Sequence, residues 1–113
     1  GDEVLRQVGQ MLHDTCRSTD IAGRYGGEEF GILLPDTSLK NARIMAKHLR
    51  QNAAAVRVPH NPKPLQITIS IGISALTEQL PDAKTWVMLA DQALYQAKAE
   101  GRDRIVVFED STP

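Results

Sequence analysis

The stretch "QITISIGIS", residues 66–74, alternates without a break. Ile67, Ile69, Ile71 and Ile73 fall on one side, and Thr68, Ser70, Gly72 and Ser74 on the other. Successive side chains on a strand point to opposite faces, so this period of two predicts a β-strand with one apolar face. Such a face must be covered, and the chain has to supply amphipathic helices to cover it.

Three stretches meet that need. In "DEVLRQVGQMLHDTC" the apolar residues Val4, Leu5, Val8, Met11 and Leu12 share one helical face, with Arg6, Gln7, Gln10 and Asp14 opposite. In "DTSLKNARIMAKHLRQNAA" the buried stripe is Leu39, Ala42, Met45, Ala46, Leu49 and Ala53. Arg43, Lys47 and Arg50 face solvent in that register, and Asp36, Thr37 and Ser38 are each suited to cap the helix. In "WVMLADQALYQAKAE" the stripe is Trp86, Leu89, Ala90, Ala93, Leu94 and Ala97, and Gly101 suits the position just past the helix end. Trp86 therefore reads as core. "RVPHNPKPL", with its prolines, and "TEQLPDAKT" read as loops. "RIVVF", residues 104–108, reads as a last strand and "EDSTP" as a tail.

Between the first two helices lies "DIAGRYGGEEFGILLP". Two strand-like runs joined by Gly26-Gly27 predict a β-hairpin, because a two-residue primed turn needs positive φ, which glycine takes without a Cβ clash. Pro35 ends the second strand. The order α-β-β-α-β-α-β predicts an α+β fold, a largely antiparallel sheet flanked by helices. The ferredoxin-like pattern fits if one strand precedes residue 1.

A chain of 113 residues with 42% hydrophobic residues suits one globular domain. The net charge of −1 makes no case for nucleic acid or an anionic membrane as partner. Ferredoxin-like nucleic-acid modules present stacking aromatics on their sheets, and aromatics here are only 4%. No apolar run approaches the roughly 20 residues that span a bilayer. The amphipathic start is no signal peptide. Cys16 is alone, which fits a reducing, cytoplasmic compartment, and no Cys/His spacing suits zinc. The chain opens with its helical pattern already running by Val4, so it reads as a piece of a longer protein, whose missing part could anchor it to a membrane.

The hairpin carries the chemistry. Glu28 shares a strand face with Phe30, Ile32 and Leu34, and Glu29 shares the other with Gly31 and Leu33. The two acids are either solvated groups at an exposed tip or a magnesium and phosphate site, since hard carboxylate oxygens suit Mg²⁺. Asp2 is locally a helix N-cap. Lys98 and Arg102 locally complement a helix dipole. Arg17 and Asp20, in "RSTD", are locally a surface ion pair.

"RYGGEEF" resembles the signature of the GGDEF family, the diguanylate cyclases, in its GGEEF form. "GDEVLRQVG", "TISIGIS" and "ADQALYQAKAEGRDRI" resemble the same family at corresponding places, so the likeness covers nearly the whole chain. It implies a ferredoxin-like palm of the nucleotidyl cyclase type that joins two GTP molecules into cyclic di-GMP, releasing two pyrophosphates, with Mg²⁺ or Mn²⁺ and in a homodimer. It implies that Glu28 is metal ligand and base for the 3′-hydroxyl, that Glu29 supports it, and that Gly26 and Gly27 lie against the nucleotide. Asp2 matches the family's reader of the guanine edge. Lys98 and Arg102 match the pair holding the β- and γ-phosphates. Arg17 and Asp20 match an inhibitory cyclic di-GMP site. Where that site adds an Arg from the next helix, this chain has His48, with Lys47 and Arg50 as substitutes nearby. An alternative role is a non-catalytic cyclic di-GMP receptor, although intact GGEEF argues against it.

The family's first strand, with a metal-binding Asp, and an Asn that contacts guanine are absent from residues 1–113. Two expectations follow. The chain is a partial domain, or it completes its sheet by swapping with another copy. Alone, it should be catalytically inactive.

Overall fold

The described residues form three amphipathic helices and six short strands. The computed structural model describes residues 2–26, 29–59, 63, 65–76 and 82–108, with the backbone alone at residues 2, 22–26, 29 and 65. The order is α1 (Asp2–Thr15), β1 (Ile21–Gly26), β2 (Glu29–Leu33), α2 (Leu39–Ala55), β3 (Arg57–Val58), β4 (Leu65–Gln66), β5 (Ile71–Ile73), α3 (Ala83–Ala99) and β6 (Ile105–Val107).

The helices form where apolar spacing and caps agree. Ser38 caps α2, its hydroxyl accepting from the Asn41 N–H at 3.1 Å, so Ser38 prevails over Asp36 and Thr37. α3 starts a turn before Trp86, because Asp82 accepts from the Thr85 N–H at 2.8 Å. Ala83, Lys84 and Thr85, expected in a loop, are therefore helical. The end of α3 is a Schellman turn: Gly101 has φ 122°, and the Arg102 N–H reaches back to the Ala97 carbonyl at 2.9 Å.

The predicted hairpin is present. β1 and β2 pair antiparallel from Ile21 opposite Leu33 to Gly26 opposite Glu29, with a bulge between Arg24 and Gly26. Gly26 is thus a strand residue paired with Glu29, while Gly27 lies outside the described residues. "RVPHNPKPL" also carries structure, since β3 and β4 form a minimal antiparallel pair across its prolines. The predicted isoleucine strand is shorter than its pattern. Gln66 at its start belongs to the β3–β4 ladder, residues 67–70 lie outside both strands, and Ile71–Ile73 pairs in parallel with β6. Among the described residues the strands form three separate two-stranded ladders rather than one sheet.

The alternation of "TISIGIS" explains the layering. Ile69 and Ile71 pack on a core formed by Met11, Leu12, Leu49 and Ala53 of α1 and α2. Phe30 and Ile32 of the hairpin pack on the same core. The opposite, small-residue face of β5 seats α3. A Cβ at Gly72 would lie 2.3 Å from the Ala90 carbonyl and 2.3 Å from the Leu94 nitrogen, so only glycine lets the helix backbone come this close. β5–β6 is therefore covered on both faces, by α1 and α2 on one and α3 on the other.

Candidate functional site

Asp2 aside, the described residues among those singled out by the sequence fall at three places. At the first, the hairpin tip, the pairing of Gly26 with Glu29 closes β1–β2. Glu28 and Gly27 lie outside the described residues. Phe30 and Ile32 face the helices while Gly31 and Leu33 are exposed, as strand alternation predicts. Asp2 begins α1. Among the described residues no three His, Cys, Asp or Glu side chains converge as a metal cluster.

The second place is the turn from α3 to β6. Lys98 sits half-buried in the last helical turn, and Arg102 is exposed two residues past the C-cap Glu100. The side chain of Arg102 makes no hydrogen bond or ion pair among the described residues. Its backbone is left-handed, φ 64°, and so is that of Asp103, φ 49°. Non-glycine residues avoid this region, and two in succession persist only when neighbours fix them. Sequence reasoning missed one of those neighbours. Arg50, expected to face solvent, instead forms an ion pair with Asp103 at 3.0 Å.

The third place is the loop after α1. The Asp20 N–H donates to the Arg17 carbonyl at 3.0 Å, closing a turn. The Arg17 N–H donates to Asp20 Oδ2 at 2.8 Å, and the guanidinium adds Nη2 to Oδ1 at 2.8 Å. The guanidinium holds the Asp20 carboxyl below the ordinary carboxylate range, and the carboxylate in turn raises Arg17. The Asp20 side chain is 0% exposed but that of Arg17 is 55% exposed, so the pair presents the cation to solvent. Arg17 Nη2 also donates to the Thr37 hydroxyl at 2.7 Å, which donates to the Pro35 carbonyl at 2.8 Å. Thr37, read as a helix cap, is thus a tether for Arg17.

Beside Arg17 opens a cleft of about 300 Å³, lined also by Thr15, Thr37, Asn41, Met45 and His48. This placement sorts the three basic residues of α2. His48 shares the cleft with Arg17, Lys47 does not line it, and Arg50 is turned to Asp103. Asn41 and Thr15 had no signal in the sequence beyond their polarity. Cys16, next to the loop, is partly covered, and desolvation first, then the Asp20 charge, push its thiol up, which makes it a poor nucleophile.

An α+β palm with a GGEEF hairpin and basic residues at the end of its last helix defines a nucleotidyl cyclase-like domain. The chain belongs to the family described as "Diguanylate cyclase, GGDEF domain", which it matches over residues 1–104. It is 37% identical over 113 residues to "Diguanylate cyclase A" of Treponema denticola, covering 100% of this chain and 30% of that protein. It superposes with a TM-score of 0.87 and 32% identity on the active GGEEF domain of a diguanylate cyclase from Vibrio cholerae, covering 97% of this chain and 69% of that one. It superposes with a TM-score of 0.89 and 25% identity on the GGDEF domain of DgcB from Caulobacter crescentus, solved in complex with c-di-GMP, covering 96% of this chain and 65% of that one. The chain thus spans 30% of the length of the Treponema protein. No helix among the described residues is long and apolar enough to cross a membrane.

Proposed function

We propose that this chain is the GTP-condensing domain of a diguanylate cyclase, which joins two GTP molecules into cyclic di-GMP and releases two pyrophosphates. The observation that carries the reading is the family match over residues 1–104, with "GGEEF" intact at residues 26–30 of the sequence. In this reading Asp2 accepts from the guanine edge, Gly26 and Gly27 let the nucleotide approach the backbone, and Lys98 and Arg102 hold the β- and γ-phosphates. Each subunit of a homodimer supplies one GTP, and the reaction takes place in the cytoplasm.

The donor set of the motif, Glu28 and Glu29, consists by its chemistry of hard oxygens and fits Mg²⁺ or Mn²⁺, since magnesium is usually held by one or two carboxylates plus substrate phosphates. Bound there, the metal would supply charge stabilisation for phosphoryl transfer. Glu28 takes the proton of the 3′-hydroxyl, and Glu29 supports it.

The test is product formation by the whole protein with GTP and Mg²⁺, repeated with Glu28→Gln. Cyclic di-GMP from the wild type and little from the variant is the expected result. No product from the wild type would sink the enzymatic reading, and equal product from the variant would remove Glu28 from the chemistry.

The Arg17–Asp20 loop supports a second component, a site for the product. A tethered, solvent-facing guanidinium beside a cleft can clamp a phosphate and a guanine Hoogsteen edge. A protein that binds cyclic di-GMP through Arg17 but makes none would be a receptor instead of an enzyme.

A further inference from the structure

We propose that Arg50 is a positioning residue for the phosphate-binding end of α3, acting through Asp103 on the backbone that carries Arg102. This rests on the reading of Arg102 as a phosphate ligand given above.

The turn after α3 is built from left-handed residues in succession: Gly101 at φ 122°, Arg102 at 64° and Asp103 at 49°. Its entrance is fixed by the Arg102 N–H on the Ala97 carbonyl at 2.9 Å. Its exit is fixed by the Ile71 N–H on the Arg104 carbonyl at 2.9 Å, where β6 begins. Between them, Asp103 is held from both sides of the β5–β6 ladder. Its N–H donates to the Ser70 hydroxyl at 3.0 Å. Its carbonyl and its carboxylate both accept from Arg50 Nη2, at 2.8 and 3.0 Å, and the carboxylate also accepts from Nε at 3.3 Å. One guanidinium on α2 thus fixes the main chain and the side chain of the residue next to Arg102, 53 residues away in sequence.

The chemistry requires arginine. Holding a carbonyl and a carboxylate at once takes a planar fork, and a lysine ammonium is a point charge on a flexible stem. Without Arg50, the carbonyl and carboxylate of Asp103 lose their anchor, and the strained backbone of Arg102 and Asp103 is held less firmly, by the Ser70 hydroxyl accepting from the Asp103 N–H and by the Arg104 side chain on the Arg102 carbonyl, both at 3.0 Å. The aim of the Arg102 guanidinium would loosen with it.

The experiment uses the whole protein, with affinities for a non-hydrolysable GTP analogue and for GMP measured by titration calorimetry, alongside melting temperatures. Arg50→Lys should weaken the GTP analogue by about tenfold, the equivalent of one charge-assisted hydrogen bond. GMP, which lacks the β- and γ-phosphates, should bind unchanged. Asp103→Asn, which keeps a residue tolerant of left-handed backbone, should give a smaller loss of the same kind. In an Arg102→Ala background, Arg50→Lys should have no further effect. Equal losses for GMP and the GTP analogue, or losses that add to that of Arg102→Ala, would mean that Arg50 acts only on folding and would overturn the proposal. If Arg102→Ala itself leaves the GTP analogue unaffected, the reading of Arg102 fails and the proposal falls with it.

Discussion

Trp86 and Ser74 exchange hydrogen bonds in opposite directions. The indole Nε1–H donates to the Ser74 carbonyl at 2.9 Å, and the Ser74 hydroxyl donates to the Trp86 carbonyl at 2.7 Å. The first turn of α3 is thereby fastened to the end of β5 through two part-buried contacts, with no polar group left over. Trp86→Phe should keep the ring packing but orphan the Ser74 carbonyl, lowering stability by about 1–2 kcal/mol. Ser74→Ala should act on the other bond. Denaturant titrations of both single variants and the double variant would check this, and strictly additive losses would show that the two bonds do not form a unit.

Gly72 is a sharper case. The space its missing Cβ leaves is filled by the backbone of α3, with contacts of 2.3 Å that no rotamer change can relieve. Gly72→Ala must push helix and strand apart, which should lower stability by about 3 kcal/mol or more. A variant that melts with the wild type would mean that α3 does not lie on β5 as described.

These contacts show what the sequence could and could not convey. The apolar stripes were legible because helical and strand periods are local, and the core of Met11, Leu12, Leu49 and Ala53 is drawn from the expected faces. The face of Ser70, Gly72 and Ser74 gave only alternation. That it seats a helix depends on which element packs there, a long-range fact with no local period. Arg50 was misplaced for the same reason, since its register on α2 points outward and only the fold brings Asp103 to it. The hairpin was legible from its glycines, but its pairing placed Gly26 opposite Glu29 because a bulge after Arg24 shifts the register. His48 was legible as a position by resemblance, and the cleft it shares with Arg17 was not.

Asp82 makes one element of this fold sensitive to pH. It caps α3, and its carboxyl lies below the ordinary carboxylate range, first because the Thr85 N–H donates to it and then because of the Thr85 side chain. A depressed folded value means that the carboxylate stabilises the fold above its unfolded pKa of about 3.9, and that this is lost as pH falls through the lower folded value. Asp82→Ala should therefore melt below the wild type at pH 7, with the gap closing as the pH drops below about 4. Melting curves across that range decide it, and a gap of constant size would assign the effect to something other than the charge.

The cleft beside Arg17 yields a prediction about affinity rather than folding. The guanidinium is oriented by Asp20 and tethered to Thr37, and His48 lies on the same cleft from α2. Arg17→Ala should remove cyclic di-GMP binding at this site, and Thr37→Val should weaken it by loosening the tether. His48→Arg should do the reverse. It adds a permanent, forked cation within the lining, and one further hydrogen bond to a charged group is worth about 1.5 kcal/mol, so the concentration of cyclic di-GMP that halves the rate should fall by about tenfold. The Asp20 pair should stay ionised from neutral pH down into the acid range, because its folded value is depressed by Arg17. Only as pH falls through that value should Arg17 lose its orientation and binding weaken. Inhibition curves of the whole protein, wild type against each variant, give the answer. A His48→Arg protein inhibited no more tightly than the wild type would show that the ligand does not reach α2 from Arg17.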